Sequence, residues 1–563
     1  MEKMHSALIP NTLLGLAGSI EYKKLKDACK DPKKSSANTL RAILSAAQYT
    51  EYGKEHQFST ILQAKTDDDL FARYQQYVPA NDYEDLRPYV ERQKRGIADV
   101  LTFGKPYMYA TTSGTTNEPK WIPITWTYLR DVYGKMTRVW LYNFIKFRPN
   151  VFAGKIITIV GKSREGTAPD GTFYGSVSGV TREKCPSVIQ NLFSCPPEVY
   201  GIEDYTARYY AIMRTGIEQN VTMLVTPNPS TIVEVGKLMN VYYDDFCNDI
   251  ERGTLSKKVN IPDDIRQALA PYLKPNPERA NELRGLKVRY KIVLPKHYWP
   301  NLQIVSTWKC GNTKFYADKI VRYFPENTFI QELGYFSTEC RFGLVLDDTN
   351  NTRLFPHFHY YEFVAEEELE SENKHFLQLH ELQKGKRYCA YVTTFAGLYR
   401  YNMNDLLEVG DFFENTPTVF MIQKINGIVS MTGEKIHEHQ FVEAVQRAVN
   451  QTGYKMSFFV GFANLQKSTY EFYFEFSGHN RTQEEADEFA KVVDKELCNI
   501  NIEYQSKRDS FRLGEPIAHL LVKNAYEKFK QECLKEGKRD GQFKMVMLMQ
   551  DDAKHEKFRR LTV

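Results

Sequence analysis

The sequence lacks the short signatures of the commonest metal sites, disulfide frameworks and nucleotide-binding loops. Its nine cysteines are scattered, odd in number and never spaced as C-x-x-C. That pattern argues against a structural zinc site or a disulfide framework, and it favours a reducing compartment. Neither G-x-x-x-x-G-K-S/T nor G-x-G-x-x-G occurs in the sequence. The ordinary P-loop and the dinucleotide-binding fingerprint are therefore excluded.

A large excess of one charge and a long apolar run are also missing. The 74 basic and 70 acidic residues leave a net charge of +4, which argues weakly against nucleic acid as the main partner. The mildly apolar stretch at residues 7–20 contains Pro10, Asn11 and two glycines, and it is too short to span a bilayer. We expect it to begin a helical region in a soluble cytoplasmic protein that has no membrane partner.

The chain does have enough apolar sequence for two or three domains, since 42% of its 563 residues are hydrophobic and 13% are aromatic. Short β-branched runs alternate with helical patterns, which predicts α/β layers with helices on the sheet faces. The predicted strands of these layers cover residues 155–161, 221–226, 302–308 and 329–334. From residue 355 the pattern is β-rich, with predicted strands at 357–364 and 388–394.

The composition changes near residues 424–433, where Asn426 and Gly427 tolerate unusual backbone angles. An α+β pattern of about 130 residues follows, which is within the usual size of a domain. We therefore predict a large domain at 1–423, a hinge at 424–433 and a small mobile domain at 434–563. The predicted fold class is α/β, with layered sheets and a β-barrel-like part in the large domain and an α+β small domain.

Within residues 109–120, the five hydroxyl side chains from Thr111 to Thr116 surround Gly114, and the stretch ends at Lys120. Hydroxyls and exposed backbone N–H groups can hydrogen-bond phosphate oxygens, glycine lets a ligand approach the backbone, and the lysine can supply a positive charge. The stretch is thus typical of a phosphate-binding loop. A solvated surface loop has the same composition, so these residues alone leave both interpretations open.

Residues 335–339 follow a predicted strand of the α/β layers, and such sheets bind ligands beyond the carboxyl ends of their strands. Tyr335 can stack on a flat base, Ser337 and Thr338 can donate to phosphate, and Glu339 can bind Mg²⁺ through oxygen. A β-turn with a solvated glutamate explains the same residues, so this stretch too is ambiguous by itself.

Two further patterns each allow two interpretations. Asp405 can accept two hydrogen bonds from a ribose diol, but a salt bridge with Arg400 or a place in a turn is the better interpretation of a lone aspartate. His357 and His359 can lie on one face of a strand as a metal-binding pair, although no third ligand follows at a telling distance.

Taken together, three of these stretches resemble the adenylate-forming superfamily, which includes acyl-CoA ligases and luciferases. Residues 112–120 resemble its phosphate loop, 335–339 its second nucleotide motif and 399–405 its ribose-binding motif. More narrowly, the chain resembles the plant auxin-inducible (Gretchen Hagen) acyl acid amido synthetases and their bacterial relatives. The stretches that carry the narrower likeness are 83–120, 299–308 and 397–405. The departures from the superfamily pattern include Asn117, Thr338, Asn402, Asn404 and Lys424.

The resemblance implies a role for each matching residue. The nucleotide-binding residues that it implies are Thr112, Ser113, Gly114, Thr115, Thr116 and Lys120 for the phosphates, Tyr335 for adenine, Asp405 for ribose, and Ser337, Thr338 and Lys424 beside them. It also implies Glu339 as the Mg²⁺ ligand and Lys544 as a catalytic lysine that the small domain brings to the α-phosphate. Phe336 and Tyr360 are the implied substrate residues, with His357 and His359 in the wall of the acyl pocket.

The resemblance also implies the reaction. An ATP-dependent acyl acid amido synthetase activates a carboxylic acid as its acyl adenylate and transfers the acyl group to an amine or amino acid. Transfer to a thiol such as coenzyme A is the first alternative. The second is a catalytically inactive relative that only binds its partners, and the departures at Asn117 and after Lys544 motivate it.

Overall fold

The computed structural model describes residues 8–112, 120–310, 313–369, 371–425, 428–429, 431, 434–478, 481–509, 513–536, 543 and 545–563. The side chains of residues 112, 188, 314, 315, 423, 424 and 506 lie outside that description. The chain divides into two units, of which the first is Met1–Met403 with Leu407–Phe420 and the second is Asn404–Leu406 with Met421–Val563. The hinge at 424–433 and the domain boundaries on either side of it remain predictions.

Helices and strands alternate along the chain. The helices are α1 (Leu8–Lys30), α2 (Pro32–Ala47), α3 (Glu51–Glu55), α4 (Phe58–Ile61), α5 (Asp67–Tyr77), α6 (Tyr83–Lys94), α7 (Gly134–Phe147), α8 (Val177–Glu183), α9 (Ser187–Gln190), α10 (Tyr205–Gly216), α11 (Pro229–Val241), α12 (Tyr243–Arg252), α13 (Asp263–Leu269), α14 (Pro277–Arg289), α15 (Pro295–Tyr298), α16 (Lys314–Ile320), α17 (Glu438–Thr452), α18 (Gln483–Ile500), α19 (Ile502–Asp509), α20 (Ala525–Lys535) and α21 (Asp552–Arg559). The strands are β1 (Met108–Thr112), β2 (Lys120–Ile124), β3 (Lys155–Thr158), β4 (Gly166–Thr167), β5 (Phe173–Gly175), β6 (Val221–Val225), β7 (Ile304–Thr307), β8 (Phe329–Glu332), β9 (Gly343–Val345), β10 (Thr352–Leu354), β11 (Tyr360–Ala365), β12 (Leu377–Gln378), β13 (Arg387–Thr393), β14 (Tyr401–Phe413), β15 (Thr416–Lys424), β16 (Ile428–Val429), β17 (Ile436–His437), β18 (Met456–Asn464), β19 (Thr469–Phe476), β20 (Ile517–Leu520) and β21 (Leu548–Met549).

A four-stranded parallel sheet, ordered β3-β6-β7-β8, forms the centre of the α/β layers. Leu224 and Val305 pack into one apolar cluster with residues of α10–α14, whereas Met223 and Ile304 pack into another with residues of α1 and α7. Both faces of the sheet are therefore covered, which is why its strands read as continuous apolar runs. All four predicted strands are confirmed, each slightly shorter than predicted. Because the strands are parallel, the segment after β8 leaves the sheet at their common carboxyl edge.

The strands on either side of residues 113–119 form an antiparallel hairpin. β1 and β2 pair from Met108 opposite Ile124 to Thr112 opposite Lys120. They belong to a second sheet, ordered β2-β1-β5-β4, in which β1 runs parallel to β5. The predicted phosphate loop thus connects two paired strands, and Lys120 is the first residue of the second.

The β-rich part is a seven-stranded sheet ordered β12-β11-β13-β14-β15-β10-β9, which corresponds to the predicted β-barrel-like part. β11 begins at Tyr360, so His357 lies in the turn before it. The prediction that His357 and His359 share one strand face is therefore wrong. Phe358 and His359 donate their backbone N–H groups to the carbonyl of Phe355, and these bonds close a turn where a strand was predicted.

One predicted helix begins with a different kind of turn. The sequence predicts a single helix over residues 127–147, but Tyr128–Tyr133 is a π-helix and the α-helix α7 begins only at Gly134. The N–H of Gly134 donates to the carbonyl of Leu129, five residues earlier. Such π-turns are rare in proteins, and those that occur often lie at functional sites.

The second unit has an α+β fold, with a four-stranded sheet ordered β20-β19-β18-β21. Phe441 of α17 lies 5.0 Å from the ring of Phe472, and Phe489 of α18 lies 5.0 Å from that of Phe474. These helices therefore bury their aromatic faces against the sheet. The sequence predicts helices at 438–449, 483–500 and 526–536 and strands at 457–462, 470–476 and 518–522. All six are confirmed, and α18 has the predicted bounds.

In the part of the chain that the structure describes, the helices are all too short or too polar to cross a membrane.

Candidate functional site

The carboxyl end of β8 carries a buried carboxylate. Glu332 is 3% exposed and accepts hydrogen bonds from the backbone N–H groups of Lys309 and Gly334. Burial raises the pKa of Glu332, and the two backbone donors partly offset that effect. Gly334 follows with φ +96°, and a Cβ there would lie 2.8 Å from the carbonyl oxygen of Gly343. Glycine is thus required where the chain turns toward residues 335–339.

Residues 337–340 form a tight turn. Ser337 N donates to the carbonyl of Cys340 at 3.1 Å, and the Ser337 hydroxyl also donates to that carbonyl at 3.2 Å. Phe336 and Arg341 pair on the two sides of the turn. Thr338 and Glu339 lie at its tip and are half-buried. The turn places both residues beyond the carboxyl end of β8, where α/β sheets commonly bind ligands, while the Ser337 hydroxyl closes the turn.

Tyr335 is 5% exposed, with its ring 4.5 Å from the ring of Phe342. Its carbonyl accepts a hydrogen bond from Gly343 N at 3.2 Å. The aromatic ring predicted for adenine is therefore fixed in place by the segment that leads into β9.

Arg341 is buried on the side of the turn that faces α7. The residue is 4% exposed, and its Nη1 donates to Thr137 Oγ1 at 2.6 Å. Its backbone N–H donates to the hydroxyl of Tyr128 in the π-helix, and its carbonyl lies 3.0 Å from His359 Nε2. The π-helix, α7 and the turn therefore meet at this one residue.

The two histidines before β11 are both held neutral. Burial lowers the pKa of His359 to about 4 and that of His357 to about 3. Both ring nitrogens of His357 are buried without a hydrogen-bond partner in the described residues, and so is Nδ1 of His359. Within the same residues, no group of three or more His, Cys, Asp or Glu side chains could hold a metal ion.

Tyr360, predicted as a substrate residue, lies in a different environment from Phe336. Its side chain is buried on β11, where its ring stacks on Phe71 at 5.7 Å and meets Tyr74 edge-on at 5.5 Å. Both partners belong to α5. Phe336 instead lies 5.9 Å from the ring of Tyr133.

Lys120, at the start of β2, is surrounded by tyrosines. Its Nζ donates to the Tyr401 hydroxyl at 3.3 Å and lies 5.8 Å from the ring of Tyr83. Tyr83 in turn accepts a hydrogen bond from Trp121 N at 2.6 Å. The hydroxyl and ring of Tyr401 and the ring of Tyr83 therefore position the lysine, and its charge acts on the carboxylate of Glu84.

The residues before Asp405 are fixed by a buried ion pair. Arg400 Nε lies 2.9 Å from Glu362 Oε2, and Arg400 Nη1 donates to the carbonyl of Val78 at 2.8 Å. Asn404 has φ +54°, a left-handed conformation that glycine and asparagine adopt readily. Asp405 is 2% exposed on β14, in the second unit.

Several predicted site residues lie outside the described residues. They are Ser113, Gly114, Thr115, Thr116 and Lys544, together with the side chains of Thr112 and Lys424. Conversely, sequence reasoning missed Glu332 and Arg341. Each is a charged residue in an otherwise apolar stretch. A charge among apolar residues can indicate a buried polar site, and that was the available signal.

Three family models match the chain in order. The GH3 family N-terminal domain matches residues 21–329, the GH3 family central domain 352–424 and the GH3 family C-terminal domain 439–553. The chain belongs to the GH3 family. The family likeness predicted from the three motifs is therefore confirmed.

GH3 relatives match over most of their length. The jasmonoyl-L-amino acid synthetase GH3.5 of Oryza sativa subsp. japonica is 25% identical over 551 residues, which cover 92% of each chain. The solved structure of the GH3.15 acyl acid amido synthetase has a TM-score of 0.83 at 21% identity, covering 96% of this chain and 95% of that one. A 2-hydroxyisobutyryl-CoA ligase in complex with 2-HIB-AMP has a TM-score of 0.55 at 12% identity, covering 94% and 92%. The predicted α/β fold class is confirmed by these structures.

Proposed function

We propose that this chain is an ATP-dependent acyl acid amido synthetase, a ligase that joins a carboxylic acid to an amine or amino acid. The proposal is carried by the three GH3 domain models in order along the chain, together with the fold of an acyl acid amido synthetase over 96% of it. The Oryza sativa relative is named for a product of the same type, a jasmonoyl–amino acid.

A carboxylate must be activated because its charge repels nucleophiles and its leaving group is oxide. Attack of a carboxylate oxygen on the α-phosphorus of ATP forms a mixed anhydride and releases pyrophosphate. The amine nitrogen then attacks the acyl carbon, AMP leaves and the amine loses a proton. Positioning and charge compensation supply most of the catalysis in phosphoryl transfer. ATP as cosubstrate is supported by the ligase of the same fold that binds an acyl adenylate.

The nucleotide contacts come from the hairpin loop, the turn after β8 and the start of β14. In this proposal Lys120 binds a phosphate oxygen, since its side-chain hydrogen bond is to the neutral hydroxyl of Tyr401. Thr338 is better placed than Ser337 to donate to phosphate, because the Ser337 hydroxyl closes the turn. The remaining assignments are Thr112, Ser113, Gly114, Thr115 and Thr116 to the phosphates, Tyr335 to adenine, Asp405 to ribose and Lys424 beside them.

Glu339 fits the Mg²⁺ site that the proposal needs. Mg²⁺ commonly binds one or two carboxylates together with substrate phosphates, so it does not require a cluster of protein ligands. Glu339 offers a carboxylate at the tip of the turn, half-buried at the carboxyl edge of the sheet. Bound there, the ion would offset the charge of the phosphate oxygens.

Phe336 and Tyr360 are the proposed substrate residues, and Phe336 has the stronger support because Tyr360 packs inside the interface with α5. Lys544 is the proposed catalytic lysine, and residues 424–433 are the proposed hinge. A cytoplasmic location is supported by the nine cysteines, none of which forms a disulfide.

An ATP–pyrophosphate exchange screen over a panel of carboxylic acids tests the first half-reaction. We expect exchange that depends on the acid. Amino acids and coenzyme A, offered in turn with the preferred acid, then separate the products by mass. An amide supports the proposal, whereas a thioester would favour an acyl-CoA ligase. Absence of both exchange and ATP binding by calorimetry would favour an inactive relative.

A further inference from the structure

Arg341 is a buried cation without an acidic partner in the described residues. The groups that act on its charge are the hydroxyls of Tyr133 and Tyr128, and burial lowers the pKa of its guanidinium. Its Nε is buried with no hydrogen-bond partner there, and Nη1 donates to a neutral hydroxyl, that of Thr137. Of the three other buried arginines that the structure describes, Arg214 is paired with Glu218 and Arg400 with Glu362, both at 2.9 Å. The third, Arg182, lies over the ring of Phe193 at 3.5 Å and donates to the carbonyl of Cys195.

Three aromatic rings surround the guanidinium. Its carbon lies 5.1 Å from the ring of Tyr133, 5.3 Å from that of Phe336 and 5.6 Å from that of Trp140. We call Arg341 and these three rings the arginine box. Cation–π contact compensates part of the charge but offers no hydrogen-bond acceptor. The indole N–H of Trp140 is also buried without a partner in the described residues.

Two buried N–H donors, Arg341 Nε and the indole nitrogen of Trp140, thus lack an acceptor among the described residues, and the charge of Arg341 lacks an anion there. This combination is what an anion-binding site requires. Burying an unpaired charge is costly, and buried polar groups are normally hydrogen-bonded. A carboxylate would accept from Arg341 Nε and supply the missing opposite charge. The planar guanidinium is suited to a carboxylate, and the flat rings around it are suited to an aromatic ligand.

We propose that Arg341 binds a second carboxylate of the acyl acid, so that the preferred substrate is an aromatic dicarboxylic acid. This inference rests on the proposed function, because it takes Phe336 as a residue of the acyl pocket. The carboxylate that reacts loses its charge when it becomes the mixed anhydride, and Arg341 would then be unpaired during acyl transfer. A second carboxylate keeps its charge through both half-reactions, so the guanidinium stays paired.

The test uses pairs of acids that differ by one carboxylate. Benzoate is compared with terephthalate, and phenylacetate with 1,4-phenylenediacetate, by kcat/KM in ATP–pyrophosphate exchange. We expect the full-length enzyme to prefer the diacid of at least one pair by about tenfold or more. In Arg341→Met the diacid-to-monoacid ratio falls by about 30-fold or more, mainly through KM, as expected when one partner of a buried charge pair is removed. Arg341→Lys, which keeps the charge but not the planar fork, retains part of the preference.

Arg138→Met is the matched control, since Arg138 is an exposed arginine on the same helix as Thr137. It should leave the diacid-to-monoacid ratio unchanged.

Equal use of both acids of each pair by the parent enzyme would overturn the inference and leave the proposed function standing. An equal loss with monoacid and diacid in Arg341→Met, accompanied by a lower melting temperature, would also overturn it and assign Arg341 a structural role. If Arg341→Met does not fold, the ratio in Arg341→Lys decides. No exchange with any acid would overturn both proposals.

Discussion

At the scale of single residues, the buried pair between Arg400 and Glu362 should be the most costly to break. The two side chains are 3% and 1% exposed. Glu362→Gln leaves the guanidinium charge buried without its partner, so we expect the free energy of unfolding to fall by about 3–5 kcal/mol. Urea denaturation at pH 7 measures this loss.

The exposed pair between Lys384 and Asp411 provides the comparison, because its side chains are 65% and 69% exposed. Asp411→Asn should change the free energy of unfolding by about 1 kcal/mol or less. Similar losses in the two variants would contradict the assigned role of the buried pair.

His359 should make the protein sensitive to acid. Its pKa is lowered to about 4 by burial, whereas an unperturbed histidine titrates near about 6.5. Between these values the unfolded chain binds a proton that the folded chain does not. The stability is therefore fully present above about pH 6.5 and is lost as the pH falls toward 4, by up to about 3 kcal/mol. Urea denaturation at several pH values measures the slope, which should be smaller in His359→Gln. An equal slope in parent and variant would refute this assignment.

Sequence reasoning at the residue scale succeeded where a motif has fixed spacing. Residues 335–339 were located beyond a strand end from their order alone. Arg341, two residues further on, was missed because its meaning depends on Tyr133 and Trp140, which lie about 200 residues earlier and meet it only in the fold.

At the scale of elements, the turn out of β8 depends on Gly334. A Cβ at this position would lie 2.8 Å from Gly343 O and 2.9 Å from Leu344 Cα, and φ is +96°. Backbone atoms cannot move aside as a flexible side chain can, so Gly334→Ala should cost about 2–3 kcal/mol. Gly385→Ala is the control, since φ is +78° and its Cβ would meet nothing within 4 Å. We expect it to cost about 1 kcal/mol. Equal melting temperatures for the two variants would show that the close contacts are relieved.

Element identity was predicted better than element ends. The β-branched runs located the parallel strands, because strands that are covered on both faces must be apolar throughout. The start of β11 and the π-helix at Tyr128–Tyr133 were not predicted. Both depend on which backbone carbonyl accepts a hydrogen bond, and apolar periodicity does not report that choice.

At the scale of the whole molecule, Lys544 is the residue that we propose the small domain contributes to the first half-reaction. Lys544→Ala should slow acid-dependent ATP–pyrophosphate exchange by about 100-fold, because it removes charge stabilisation of the transition state. ATP affinity, measured by calorimetry, should change only modestly. Lys491→Ala is the control, since that lysine is 70% exposed on α18. An unchanged rate of exchange in Lys544→Ala would show that another group compensates the negative charge of the α-phosphate in the transition state.

The family was predictable at this scale because three motifs occur in one order along the chain, and the layered architecture because short β-branched runs alternate with helical patterns. The domain boundary was predicted from the change in composition, and limited proteolysis within residues 424–433 tests it. The identity of the acid was not predictable, since the residues around Arg341 come from three separate segments: the π-helix, α7 and the turn after Phe336.

The π-helix also affects how this protein can change by insertion and deletion. Its turn holds one more residue than an α-turn, and one residue of an α-helix corresponds to about 100° of rotation. Deletion of a single residue within Tyr128–Tyr133 would let α7 extend backward as an ordinary α-helix. The same deletion would swing Tyr128 around the helix axis relative to Thr137 and Trp140, while every side chain of α7 stayed in place. A one-codon deletion would therefore move the Tyr128 hydroxyl away from the backbone N–H of Arg341 without any substitution on α7.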